Sequence, residues 1–278
     1  MKKYSRMRRR MNRLTAILAL IALACACPLA HAEVAEALPT QTPAPEPTHT
    51  ARPSTDPTPE PVEEALPLLK INPDTVGWLQ VGKIIDMPVV QRDNDFYLHH
   101  NFLGESVYEG TIFLDEDCSI WPRDEHLVLY GHNMRNGSIF GDLDRFRDLK
   151  YLKANSIVSF DTLYEEGLYV VIGVFDISAE TEDVDYIDIL LFNFEEEEFE
   201  EFIGEVRERS FYDIPVDVRY GDRLLTLVTC SYTLYDGRLL VMMREIRPDE
   251  DPGEITEAMQ AAVTQQPKIP SRMQPADE

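Results

Sequence analysis

Between Trp78 and Arg244 the chain carries a train of short apolar runs separated by turn-forming stretches. They are Trp78 to Val81, Ile84 to Val90, Thr111 to Leu114, His126 to Leu129, Ile157 to Phe160, Leu168 to Phe175, Leu224 to Val228 and Arg238 to Arg244. Many short β-prone segments in one stretch predict a closed or nearly closed β-barrel. Pro88 cannot donate a ladder hydrogen bond, so its strand belongs at an edge or a bend. Helices interrupt the series. Phe199, Phe202, Ile203 and Val206 fall at i, i+3, i+4 and i+7, one face of an amphipathic helix. The acidic run from Glu195 to Glu198 opens it, where negative charge suits the helix dipole.

The flanks are of another kind. Lys2, Lys3, Arg6, Arg8, Arg9, Arg10 and Arg13 precede an apolar stretch from Leu14 to Ala30, and Ala30-His31-Ala32 offers small residues at the spacing of a signal cleavage site. Residues 1–32 read as a signal peptide or an N-terminal membrane anchor. Residues 33–65 are rich in Pro, Thr, Ala and Glu, a composition that does not bury enough apolar surface to order itself, and read as a disordered stalk. Residues 66–250 form one domain large enough for a hydrophobic core. Residues 251–278, polar and Pro-containing, read as a loose tail. The formal charge of the whole chain is −24, although its basic leader is counted in it. An exported part this acidic is no partner for nucleic acid.

Beyond the leader the cysteines are Cys118 and Cys230. A pair in an exported chain defaults to a disulfide. Cys230, however, ends the run Leu224-Leu225-Thr226-Leu227-Val228-Thr229, where a strand end delivers a side chain to a cleft, and a cysteine with a distant histidine is a nucleophile pattern. His132 follows the run His126 to Tyr130 inside Gly131-His132-Asn133-Met134, with Gly131 permitting unusual backbone there. Arg238 opens the next strand after Asp236-Gly237. Pairing across that connection returns it beside Cys230, where a cation stabilises a thiolate and then an oxyanion. His99, His100, His126 and Cys118 are the residue types of a metal site, but no pair has a spacing that demands one.

Thr226-Leu227-Val228-Thr229-Cys230 followed by Gly237-Arg238-Leu239-Leu240-Val241 resembles the Thr-Leu-x-Thr-Cys…Arg signature of sortases, and Tyr130-Gly131-His132-Asn133-Met134 resembles their histidine motif. Ile71-Asn72-Pro73-Asp74-Thr75-Val76-Gly77-Trp78-Leu79, Asp93-Asn94-Asp95-Phe96-Tyr97-Leu98 and Gly110-Thr111-Ile112-Phe113-Leu114-Asp115 resemble class B sortases. The resemblance runs from about Leu66 to Ile246. It implies an eight-stranded sortase β-barrel with an N-terminal helix at Leu66 to Ile71 and a long late helix at Glu195 to Arg209. It implies a cysteine transpeptidase with Cys230, His132 and Arg238 as catalytic residues, and substrate contacts at Asn94, Leu98, Tyr130, Tyr186, Ile187 and Thr229. The partners it implies are surface proteins bearing a C-terminal sorting signal, cleaved after Thr, and an amine of peptidoglycan or a pilin. No metal or organic cofactor is required, and the place is the outer face of a Gram-positive membrane. Val228 and Ser231 depart from the more polar residues that flank the cysteine in some members, which leaves the sorting sequence open. The residues alone also fit a secreted cysteine hydrolase, or a stalked binding module whose Cys230 pairs with Cys118.

Overall fold

The computed structural model describes residues 57–178, 187–231 and 237–268. The basic leader, most of the Pro-rich segment and Tyr186 lie outside the described residues. All eight apolar runs become strands of one closed barrel. These are β1 (Thr75–Val81), β2 (Ile85–Val90), β3 (Phe113–Leu114), β4 (His126–Tyr130), β5 (Ile157–Thr162), β6 (Leu168–Ser178), β8 (Leu224–Ser231) and β9 (Gly237–Glu245). Their order around the barrel is β1-β2-β3-β4-β8-β9-β6-β5. A separate two-stranded ladder joins β7 (Tyr212–Asp213) to β10 (Val263–Thr264). Pro88 is tolerated because β2 meets β3 only at Val90↔Phe113, so the proline has a ladder partner, Trp78, on one side alone.

Directly paired residues share a face of a sheet, and successive residues alternate. In the parallel pair β4–β8, Leu127 and Leu129 lie opposite Leu225 and Leu227, all fully buried. His126, Val128 and Tyr130 lie opposite Leu224, Thr226 and Val228 on the other face. Helix α3 (Glu196–Arg209) covers that second face. Phe202 packs on the His126 ring with centroids 5.8 Å apart, and Val206 lies so close to Gly173 of β6 that a Cβ there would come within 2.7 Å of it. The sequence determines this helix well. Glu195 and Glu198 form a reciprocal capping box, Glu196, Glu197 and Glu198 occupy the first turn, Arg207 and Arg209 the last, and Phe199, Phe202, Ile203 and Val206 are its buried stripe. Cys230 shares the α3-bearing face, two residues beyond Val228 toward the strand end.

Helix α1 (Leu66–Ile71) seals a second cluster through Leu68, which joins Trp78, Val90, Tyr97, Phe113 and Leu163. The domain begins slightly earlier than expected: Val62 donates its amide to the Leu163 carbonyl at 2.8 Å, and a 3-10 turn spans Glu63–Ala65. A short helix α2 (Leu149–Ala154) is capped by the Asp148 side chain. At the other terminus the loose tail expected from 251 is displaced by ordered chain. Helix α4 (Pro252–Ala258) is capped by Asp251, Met259 and Ala262 are fully buried, β10 pairs with β7, and Lys268 reaches Glu205 at 3.1 Å.

Candidate active site

The barrel register assembles the candidate residues. Cys230 on β8 is paired directly with Arg238 on β9, so both side chains leave the same face. Tyr130 ends β4 opposite Val228 of the parallel β8, and the Gly131 amide extends this ladder to the Val228 carbonyl at 3.3 Å. His132 therefore leaves β4 alongside the end of β8 that carries Cys230. Cys230 is partly exposed and its thiol is free. Cys118 is also a free thiol but is buried at 4% exposure. Burial pushes its ionisation up, away from thiolate chemistry. The two cysteines do not form the disulfide that was the default for such a pair.

Three contacts hold this strand end. Thr229 donates its hydroxyl to the Gly131 carbonyl at 2.7 Å. The side-chain amide of Asn133 donates to the Cys230 carbonyl at 2.7 Å and reaches Asp144 at 3.3 Å. Arg147, in the 3-10 helix Gly141–Arg147, grips Asp176 with two bonds of 2.8 and 2.7 Å and donates to the Ser231 hydroxyl at 3.0 Å. Both residues flanking the nucleophile candidate are thus tied down. Gly131 has no positive φ, contrary to expectation. It is glycine for space, since a Cβ there would lie 2.8 Å from Ile139 Cγ2 and 2.9 Å from the Phe140 ring.

His132 Nε2 lies 3.0 Å from the Leu98 carbonyl. A carbonyl only accepts, so Nε2 carries hydrogen in this contact and Nδ1 is the ring nitrogen left clear of it. Tyr108, 78% exposed, lies nearly parallel to the His132 ring at 6.1 Å. His99 tilts against the His132 ring with centroids 6.4 Å apart, and two further histidines are engaged otherwise. His126 is fully buried, with Nδ1 on the Leu191 carbonyl at 2.9 Å and Nε2 against the Thr226 hydroxyl at 2.8 Å, and burial depresses its pKa to about 4. His100 stacks on Phe96 at 4.0 Å and bonds its carbonyl. With both His126 nitrogens committed, the metal-type residues noted in the sequence do not form a ligand set, and no group suited to a metal ion occurs among the described residues.

Of the substrate-contact candidates, Asn94 and Tyr130 meet on one carboxylate. The Asn94 amide is 3.2 Å and the Tyr130 hydroxyl 2.9 Å from Asp115 Oδ2. Leu98 serves through its carbonyl on His132. Thr229 requires correction: strand alternation turns it to the face opposite Cys230, it is 2% exposed, and its hydroxyl fastens β8 to Gly131. Ile187 is buried at 5% in the main core. Asp115, Asn133 and Arg147 are the residues that sequence reasoning missed. Asp115 ends one of the family-like motifs and Asn133 adjoins His132, so their positions were visible although their partners were not.

An eight-stranded barrel with a partly exposed thiol on a strand end, an arginine paired to it and an imidazole two residues beyond the end of the neighbouring parallel strand is the architecture of a cysteine transpeptidase of the sortase type. The family described as Sortase domain matches residues 80–246, and the chain belongs to that family. Its relatives place it within class B. It is 38% identical to sortase B of Listeria monocytogenes over 168 residues, which span 59% of this chain and 65% of that protein. The structure of Clostridium perfringens sortase B is 34% identical with a TM-score of 0.60, covering 66% of this chain and 99% of the other. A Staphylococcus aureus sortase B–substrate complex is 26% identical with a TM-score of 0.61, covering 68% and 88%.

Proposed function

We propose that this chain cleaves a C-terminal sorting signal after Thr and joins the new carboxyl end to an amine of the cell envelope. The observation that carries the reading is the pairing of partly exposed Cys230 with Arg238 beside the strand end that delivers His132. The Cys230 thiolate attacks the Thr carbonyl carbon and forms a C–S bond. Negative charge moves to the carbonyl oxygen, where Arg238 stabilises it. Collapse breaks the C–N bond, and His132 delivers its Nδ1 proton to the departing amine, leaving a thioester. A second amine then attacks the thioester, His132 takes its proton, the C–S bond breaks and the thiolate is restored. The acceptor is an amine of a peptidoglycan stem or cross-bridge, or a pilin lysine.

The basic, apolar N-terminus and the Pro-rich segment after it support a place on the outer face of the membrane, held by a retained anchor or released after cleavage. Fractionation of cells followed by N-terminal sequencing tests this: a chain recovered from the membrane with Met1 intact supports the anchor, and a cytosolic chain overturns the assignment.

The chemistry is tested with peptides of Asn-Pro-x-Thr and Leu-Pro-x-Thr type, with and without triglycine or a diaminopimelate-like amine, read by mass spectrometry. Cleavage after Thr, an acyl adduct on Cys230 and an amine-joined product are expected. Cys230→Ala loses all three, and Arg238→Ala lowers turnover about 100-fold or more. Cleavage with water as the sole acceptor would make the protein a hydrolase, and no adduct with any peptide would return it to a binding role.

A further inference from the structure

The segment from His99 to Gly110 leads into β3 and is pinned along its length. The Val107 amide donates to the His99 carbonyl at 2.9 Å and the Thr111 amide to the Tyr97 carbonyl at 3.0 Å. At its tip the Asn101 side chain accepts from the Leu103 and Glu105 amides at 2.9 and 3.0 Å. This frame carries Tyr108 to the imidazole, with its ring plane within 8° of that of His132 and the centroids 6.1 Å apart. Tyr108 is nevertheless 78% exposed, more than any other large apolar side chain among the described residues. A ring fixed beside the base is thus left open to solvent. The strand order sets its flank. β3 borders β4 on the side away from β8, and β9 lies beyond β8. Cys230 and Arg238 therefore stand on one flank of the strand that delivers His132, and the segment bearing Tyr108 enters from the other. The flanks differ in charge. Between Arg92 and Arg123 the sequence holds no lysine or arginine, and Glu105 and Glu109, both exposed, lie close to Tyr108 along the segment. An ammonium is repelled at the Arg238 end and drawn to the β3 end. An aromatic face attracts a cation within about 6 Å of its centroid.

We propose that Tyr108 binds the acceptor: its open ring face takes the ammonium group of the incoming amine beside His132, on the β3 flank of the site. The assignment rests on the transpeptidase reading above. The ammonium gives one proton to water and the free amine attacks the thioester carbon. As the C–N bond forms the nitrogen is positive again, until His132 takes its second proton. The C–S bond then breaks and its electron pair returns to Cys230 as the thiolate. The ring face favours the positive nitrogen both on arrival and during attack. Water, the competing acceptor, needs the same imidazole but brings no cation.

The test uses the full chain with Asn-Pro-x-Thr and Leu-Pro-x-Thr peptides and subsaturating triglycine at neutral pH. Mass spectrometry reads joined product against hydrolysed peptide. Both products come from one adduct and need one base, so their ratio is blind to changes in acylation or in His132. Tyr108→Leu, apolar but without a ring face, is expected to lower the ratio about fourfold, and Tyr108→Phe to keep it. Substitution at so exposed a residue opens no cavity, and Tm checks that the fold is kept. If Tyr108→Leu does not fold, Glu109→Gln takes its place and must lower the ratio about twofold at about 20 mM salt. A native ratio in the variant used, or an equal loss in Tyr108→Leu and Tyr108→Phe, overturns this inference alone. In the native chain, an adduct that water alone resolves, or no adduct with any peptide, overturns the transpeptidase reading and this inference with it.

Discussion

Asn133 stands next to the imidazole but spends its side chain on the backbone of the thiol residue, 2.7 Å from the Cys230 carbonyl. It therefore fixes the relative height of the two strand ends that bring His132 and Cys230 together. Asn133→Ala is expected to fold, since the lost hydrogen bond is worth about 1 kcal/mol, and to lower kcat about 10-fold or more through misplacement of the pair. Peptide cleavage and thermal melting check the two halves of that statement. Gly131→Ala behaves differently. Its Cβ collides with Ile139 and Phe140, and relief of such overpacking costs about 1–3 kcal/mol, so both Tm and activity fall. His126 contributes to acid stability. Its folded pKa of about 4 lies below the unfolded value of about 6.5. Between these values the unfolded chain binds a proton that the folded chain refuses, so stability is full above about pH 6.5 and falls as pH drops toward 4, by up to about 3 kcal/mol. Urea titrations at several pH values should show that slope in the native chain and a shallower one in His126→Gln.

At the level of elements, the strands were legible because each carries enough consecutive apolar or alternating residues to be half or wholly buried, and α3 because its stripe, acidic first turn and basic last turn agree. The family motifs placed Cys230, His132 and Arg238, and the register of β8 with β9 brings the first and last into direct opposition. What escaped has a physical reason in each case. β7 and β10 are two residues long and exist only as each other's partner. Asp115 meets Tyr130 and Asn94, and Arg147 meets Asp176 and Ser231, across separations that no local periodicity encodes. Helix α4 did leave a signal: Asp251 before Pro252, an N-cap followed by proline at the first helical position, its side chain accepting from the Gly253 and Glu254 amides. The polar composition of the tail obscured it. Because Met259 and Ala262 are fully buried, a fragment ending at 250 loses about 2–4 kcal/mol relative to one ending at 268. Its Tm should lie roughly 5–10 °C lower by circular dichroism, and equal melting of the two fragments would make the C-terminal segment a passive wrapping.

For the molecule as a whole the governing quantity is charge. The −24 of the full chain includes a cationic leader, so the part bearing the groove is more acidic than that figure. Such a field repels anions and gathers cations over a range set by the Debye length, about 10 Å at 0.1 M salt. Of the two substrates in the proposed cycle, the sorting peptide can be made neutral, while the acceptor is an amine that arrives as a cation. The field therefore acts on the two half-reactions unequally. Raising salt from about 20 to 500 mM is expected to slow transfer to a cationic amine several-fold at subsaturating acceptor, and to leave acylation of Cys230 by a neutral peptide within about twofold. Single-turnover mass spectrometry separates the steps, with adduct formation reporting acylation and its decay reporting transfer. Glutamate-to-glutamine substitutions on the exposed face of α3, at Glu197, Glu200 and Glu201, should flatten the salt dependence of transfer without altering acylation. If both half-reactions respond to salt alike, the acidity serves solubility and has no part in selecting the acceptor.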